Sequence, residues 1–205
     1  MTEHLAFGTL TIAYDDRVLR PREWTAAQSD WAADLMPTAP GGTVLELCAG
    51  AGHIGLLAVA ASGRRLLCVD ANPVACDYAR ANAVAAGMAE RVEVREGRLE
   101  DSLAPEETFP VIIADPPWVP REQTTRYPED PLTAIDGGDD GLDVARACLA
   151  VIDDHLSPGG SAVLQVGTRA QTDALRREPC FTEGRLAMVE VRQQVRGVLA
   201  RIDRA

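Results

Sequence analysis

The stretch Val111-Ile112-Ile113-Ala114-Asp115-Pro116-Pro117-Trp118-Val119-Pro120 decides how this chain reads. Its apolar start predicts a short strand buried on both faces, and that strand stops at an acid followed by two prolines. Proline has no amide proton and drives the preceding residue out of the helical region, so Asp115 and Pro116 form a stiff, extended exit from a sheet. Their carbonyls have no strand partner. In an open parallel sheet, ligands sit beyond the carboxyl ends of the strands. A proline-rich loop capped by a packing tryptophan would explain the same residues structurally. The combination of an acid, free carbonyls and an indole at one corner favours a functional one.

The sequence is 205 residues long and 46% hydrophobic, enough for one globular domain with a full core. It holds 20 arginines, no lysine and 31 acids, for a formal net charge of -11. Acids and arginines are mixed with no basic run, which argues against a dedicated nucleic-acid binder. Cys48, Cys68, Cys76, Cys148 and Cys180 show no Cys-x-x-Cys spacing. They read as buried, reduced thiols, and no metal site is implied. With no signal peptide and no membrane-length apolar run, the expected location is the cytoplasm, away from membranes.

Upstream, Thr43-Val44-Leu45-Glu46-Leu47-Cys48-Ala49-Gly50-Ala51-Gly52-His53-Ile54-Gly55 runs from a short strand into glycines and then into an apolar helix. Missing side chains let backbone approach a ligand, and a helix amino terminus offers free amides. The next strand, Arg65 to Asp70, ends on an acid at the interval suited to ribose hydroxyls. That much also fits a nicotinamide-binding domain. Glu46 inside the first strand separates the readings, because dinucleotide folds usually place an apolar residue there. His53 could touch a cofactor carboxylate or point to solvent, and the solvent-facing reading is favoured because no acid is visible to orient it. Ala71, Asn72 and Pro73 open a helix running to about Gly87, with Asn72 explained by capping alone.

The corner resembles the Asn/Asp-Pro-Pro-Tyr/Phe/Trp motif of class I S-adenosylmethionine-dependent methyltransferases that act on planar nitrogens. The acidic glycine loop Glu46 to Gly52 is similar to their cofactor loop. Two further segments narrow the resemblance. Leu19-Arg20-Pro21-Arg22-Glu23-Trp24-Thr25 and Ala134-Ile135-Asp136-Gly137-Gly138-Asp139-Asp140-Gly141-Leu142 match segments of the protein glutamine N5-methyltransferases, which modify the Gly-Gly-Gln loop of translation release factors. The resemblance spans residues from about 7 to 167. It implies S-adenosyl-L-methionine held by Glu46, Cys48, Gly50, Gly52, Asp70, Ala71, Asn72, Arg98, Leu99 and Asp115. Arg98 departs from the family, which usually places an acid there. The resemblance also implies that Asp115 and the Pro116 carbonyl, with Pro117 behind them, accept the acceptor's N–H bonds as the catalytic corner. Trp118 would stack on the planar group and offer its face to the cationic sulfonium. Trp24, Pro120 and Arg121 complete the implied acceptor site, with the stretch from Arg121 to Pro131 as a mobile loop.

At the ends of the chain, two short strands are expected around an acidic turn at Asp15-Asp16, then a helix from about Trp24 to Met36. A strand from Ser161 to Gly167 follows a Ser157-to-Gly160 turn, and two final apolar runs suggest an antiparallel pair. The expected fold is therefore α/β: a Rossmann-like, seven-stranded, mostly parallel sheet with helices on both faces and a C-terminal antiparallel hairpin. Residues 1–205 are expected to form a single methyltransferase domain, with an N-terminal hairpin and helix in 1–40 and the cofactor-binding core in 41–205.

The acceptor stays open between a glutamine of a release factor or other protein and a small molecule. Asp and Trp replace the family's usual Asn and Tyr, and there is no room for the helical domain that bacterial glutamine methyltransferases carry. A small partner subunit or a homodimer would suit so short a chain. A base methyltransferase ranks lower on charge, and a non-catalytic adenosyl-binding module would have no use for the corner. S-adenosylmethionine at a hundred times its Kd should stabilise the fold by about 2.7 kcal/mol, seen as a raised thermal midpoint. A midpoint raised by a nicotinamide dinucleotide instead would overturn this reading.

Overall fold

The computed structural model describes residues 1–205. The chain opens on a hairpin of β1 (Glu3–Phe7) and β2 (Leu10–Tyr14), which form a separate two-stranded sheet. Its turn falls at Gly8, which takes the left-handed φ of 56° that an acidic pair would resist. The acidic turn expected at Asp15-Asp16 therefore lies after the hairpin. Asp15 accepts the Arg17 backbone amide at 3.0 Å and pairs with its guanidinium at 2.5 Å. A 3-10 turn (Glu23–Thr25) then leads into α1 (Ala26–Leu35).

From there strands and helices alternate as the sequence predicts: β3 (Val44–Leu47), α2 (His53–Val59), β4 (Leu66–Asp70), α3 (Pro73–Ala85), β5 (Val92–Glu96) and β6 (Phe109–Ala114). Beyond the corner come a 3-10 helix (Arg121–Arg126), α4 (Leu132–Ile135), α5 (Asp143–His155), β7 (Leu156–Val166), α6 (Arg169–Leu175), α7 (Pro179–Thr182) and a closing hairpin of β8 (Leu186–Gln193) and β9 (Val198–Arg204). The main sheet has seven strands in the order β5-β4-β3-β6-β7-β9-β8. β3 to β7 pair in parallel, and β9 inserts antiparallel between β7 and β8. The expected Ser157-to-Gly160 turn lies inside β7, where the register jumps from Phe109 opposite Leu156 to Val111 opposite Ser161. No helix is long and apolar enough to cross a membrane.

The central strands are buried on both faces because helices cover both. One face packs Leu45, Leu47, Ile112 and Leu164 against Leu149 and Ile152 of α5. The other packs Val44, Val111 and Ile113 with Ile54 and Leu56 of α2, and Phe7 and Ile12 of the hairpin join this core. Trp31 is 3% exposed, a core residue as its helical spacing suggested, with the Arg192 guanidinium 3.8 Å from the ring centroid.

Backbone pairing past β6 fixes the corner. Val119 donates to the Ile135 carbonyl at 3.0 Å and accepts from Gly137 at 2.9 Å, while Arg121 donates to Gly138 at 2.8 Å. The Ala134-to-Leu142 run thus supplies the hydrogen-bond partners that the prolines deny. Gln171 completes the fastening. Its Nε2 donates to the carbonyls of Trp118, Asp140 and Gly141 at 3.0, 3.2 and 3.3 Å, and its Oε1 accepts from Gly167 and Thr168 at 2.9 and 3.0 Å. Gln171→Ala loses the capping box of α6 and leaves buried carbonyls unpaired. It should lower urea-unfolding stability by about 2 kcal/mol. A loss under about 0.5 kcal/mol would mean that water replaces the amide.

Candidate active site

Two cavities open at the carboxyl ends of the strands. The first, of about 570 Å³, covers β3, β4 and β5 and is lined among others by Cys48, Gly50, Asp70, Ala71, Asn72 and Leu99. Asp70 ends β4, and its Oδ2 and Oδ1 accept the backbone amides of Gly50 at 2.7 Å and Asn72 at 2.8 Å. Gly50 has φ 54°, and a Cβ built there meets nothing within 4 Å, so its backbone faces open cavity. Asn72 does two things: its Oδ1 caps α3 through the Val74 amide at 3.0 Å, and it lines the cavity. Cys48 also has a positive φ, 56°, the only non-glycine residue with one. Its Sγ is 4.0 Å from that of Cys148, with both thiols free.

The second cavity, of about 520 Å³, lies over the corner and under the segment preceding α1. Trp24, Asp115, Pro116 and Trp118 line it, together with Tyr127 and Gln165. Its lip is fastened by Arg22, which pairs with Asp130 at 2.5 Å. The indole of Trp118 packs on Gly167, where an added Cβ would come within 2.5 Å of Cε3.

Asp115, Pro117 and His53 line both cavities, so they form the wall between them. Gln165 Nε2 donates to Asp115 Oδ1 at 2.9 Å. Burial is the main influence on this carboxyl and pushes its pKa up to about 7, against which the Gln165 hydrogen bond works. His53 is buried rather than solvent-facing, and burial lowers its pKa to about 3. It packs edge-on to Phe7, with ring centroids 4.8 Å apart. Thr25 donates its hydroxyl to the Arg22 carbonyl at 2.8 Å, so at the 3.4 Å contact with His53 Nε2 the nitrogen is the donor.

Several residues assigned to the site by resemblance lie elsewhere. Glu46 is 2% exposed and lines neither cavity: its Oε1 accepts the Gly55 amide at 2.9 Å and its Oε2 accepts the Cys68 thiol at 3.3 Å. It holds α2 against β3 and takes up an amide that the sequence left free for a ligand. Gly52 is buried against Ala79 of α3 and serves close packing there. Arg98 turns outward to pair with Glu100 at 2.8 Å, leaving Gly97 and Leu99 on the cavity wall. Arg121 pairs with Asp136 and Asp139 at 3.2 and 3.3 Å, and Pro120 sits in the clamped backbone, so neither reaches the second cavity. The expected mobile loop is built around the 3-10 helix, with Thr124 buried. Trp118 borders only the second cavity. Gln165 was not anticipated as a site residue, and His53, read as more often solvent-facing, lines both cavities. A lone glutamine in the apolar run Ala162 to Val166 was the available signal for the first.

Residues 27–178 match the family described as methyltransferase small domain. The chain belongs to that family. It is 35% identical over 163 residues to the release factor glutamine methyltransferase of Gloeobacter violaceus, covering 77% of this chain and 57% of that protein. It is 31% identical over 201 residues to the release factor glutamine methyltransferase of Mycolicibacterium smegmatis, covering 94% and 68%. It is also 31% identical over 163 residues to the ribosomal protein uL3 glutamine methyltransferase of Bordetella pertussis, covering 75% and 53%. The chain thus spans a little over half the length of several relatives. Among solved structures, the human Mettl16 catalytic domain in complex with an RNA hairpin aligns with TM-score 0.72 at 16% identity, covering 95% of this chain and 74% of that one. An RNA methyltransferase of Salinibacter ruber in complex with S-adenosyl-L-homocysteine aligns with TM-score 0.57 at 20% identity, covering 90% and 92%.

The methyltransferase small domain family uses S-adenosylmethionine, and the first cavity fits it. The Gly50 backbone faces open space for a polar tail, each Asp70 oxygen keeps a lone pair for a hydroxyl, and Leu99 and Ile54 offer apolar wall to a flat base.

Burial raises the pKa of Glu46 to about 8 and of Asp115 to about 7, so the folded chain holds these protons where an unfolded carboxyl, near ~4, has lost them. Their contribution to stability is full below pH ~4 and is lost as pH rises through their folded values. His53 has the opposite sense, adding stability as pH rises from about 3 to ~6.5. Glu46→Gln should therefore flatten the fall in urea-unfolding stability between pH 5 and 8. An unchanged slope would assign the fall to other groups.

Proposed function

We propose that this chain transfers a methyl group from S-adenosylmethionine to a planar amide or amine nitrogen, and that its acceptor is the side-chain amide of a protein glutamine. The wall shared by the two cavities supports the proposal, because one acid, Asp115, lines both of them. S-adenosylmethionine, held by Gly50, Asp70, Asn72 and Leu99, supplies an electrophilic methyl group. The rest is the work of the chain. An amide nitrogen is a poor nucleophile because its lone pair is delocalised, so the site must aim it. Asp115 Oδ2, which has no partner within the protein, and the Pro116 carbonyl accept its two N–H bonds. Trp118, backed by Gly167, lies against the flat face of the amide. A carboxyl whose pKa stands near neutrality is also suited to take the proton that nitrogen gives up. Fixing two reactants in line is the main source of rate in such a displacement.

Glutamine is favoured by the names of the relatives, two of which are release factor and uL3 glutamine methyltransferases. The net charge of -11 points the same way. A small partner subunit or a second copy of the chain completes this reading as a candidate partner of the methyltransferase domain.

The test is transfer of labelled methyl from S-adenosylmethionine, offered separately to release factor and to a protein-free metabolite extract. Label on the release-factor glutamine is the expected result, while label only in the extract would make the acceptor a small molecule. Asp115→Ala should cut turnover by about 10²-fold or more and leave the Kd for S-adenosylmethionine within about threefold. Equal loss of both would make the corner structural.

A further inference from the structure

Gln165 is out of place in its strand. Ala162, Val163, Leu164 and Val166 around it are buried apolar residues, and Gln165 itself is 1% exposed. Burying an amide costs free energy unless it is paired, and leucine or methionine would fill the same volume. What offsets the cost here is the 2.9 Å hydrogen bond from Nε2 to Asp115 Oδ1. The other half of the amide is unused: Oε1 accepts from no protein group, and it is not sealed in the core, where the unpaired atoms are Gln28 Oε1 and His53 Nδ1. Gln165 lines the second cavity beside Asp115.

No other side chain hydrogen-bonds to the Asp115 carboxyl. Glu46 on β3, Cys48 just after it, Asp70 on β4 and His53 on α2 are the titratable groups at that end of the sheet. Arg20, Arg22, Glu23, Tyr127, Glu129, Asp130 and Arg196 surround the second cavity. None of them makes an ion pair or hydrogen bond with Asp115, and Gln165 is its one side-chain partner.

We propose that Gln165 is the positioning residue of this site: by occupying Asp115 Oδ1 it leaves Oδ2 for the acceptor nitrogen and favours the ionised carboxyl against the burial that opposes it. This rests on the reading of Asp115 as the group that receives that nitrogen. A carboxylate can only accept, so its charged form fixes the amide with Nε2 inward and Oε1 toward the cavity. Protonated, Asp115 could donate to Oε1, and the amide would lose its reason for that orientation. The proton state of one residue and the rotamer of the other are therefore tied. The direction of the hydrogen bond's influence agrees, since it lowers a pKa that burial raises.

The experiment follows the Asp115 carboxyl by carbon-13 NMR in protein labelled at aspartate, its resonance assigned with Asp115→Asn, in the wild-type chain, Gln165→Leu and Gln165→Glu. A lost hydrogen bond to a charged group should raise the Asp115 midpoint by about one pH unit or more in Gln165→Leu. A second carboxyl beside it should raise the midpoint further in Gln165→Glu. In the methyl-transfer assay the acidic limb of kcat should move up by the same amount, with the KM for S-adenosylmethionine within about twofold. A midpoint unmoved in Gln165→Leu would overturn the proposal and leave Gln165 a packing residue, even if thermal stability fell. The titration needs no turnover, so a wild-type chain that methylates nothing would refute the proposed activity while a shifted midpoint still upheld the pairing. Should Gln165→Leu fail to fold, Gln165→Met, which fills the same volume without a donor, decides the matter.

Discussion

Everything at the working end of this molecule depends on how the backbone is held after β6. Two prolines end strand pairing at Ala114, which in most chains would release a loop. Here Val119 pairs with Ile135 and Gly137, and Gln171 reaches three carbonyls from α6. An acid on so firmly held a backbone can be kept partly out of water without collapsing onto a neighbour. The raised pKa of Asp115 follows from that enforced burial, since no charged group lies against it to account for it.

The clamp also assigns a job to each face of the sheet. α1 holds the strand ends from one side, with Gln28 donating to the carbonyls of Ala114 and Val163 at 2.9 Å each. α2 is held by Glu46 from beneath. The glycine loop between β3 and α2 therefore has its shape set by the protein before any ligand arrives, with Asp70 bonded to Gly50 and Asn72. Preformed sites of this kind do not spend binding energy on ordering themselves.

Much of this was legible in the sequence because its signals are local. The apolar run into Asp115-Pro116-Pro117, the glycines after β3, the capping Asn72 with Pro73 and the two final apolar runs each lie within about ten residues of the element they specify. What was not legible depends on partners far along the chain. Glu46 looked like a ligand residue until Gly55 and Cys68 came to surround it in space. Arg121 looked like an acceptor contact until Asp136 and Asp139 were brought beside it. His53 looked solvated, and Phe7 from the opening hairpin buries it. The acidic pair Asp15-Asp16 lost the hairpin turn to Gly8 for a local reason: only one of these residues accepts a left-handed backbone cheaply.

The partition between the two cavities has a consequence for how they are filled. Asp115, His53 and Pro117 belong to both, so a molecule entering either side displaces water from the same carboxyl and changes its charge state for whatever enters the other. Occupancy on one side then sets affinity on the other, and thermodynamic linkage makes the effect mutual. Two reactants entering from opposite sides of Asp115 would sense each other through one titrating carboxyl before they meet.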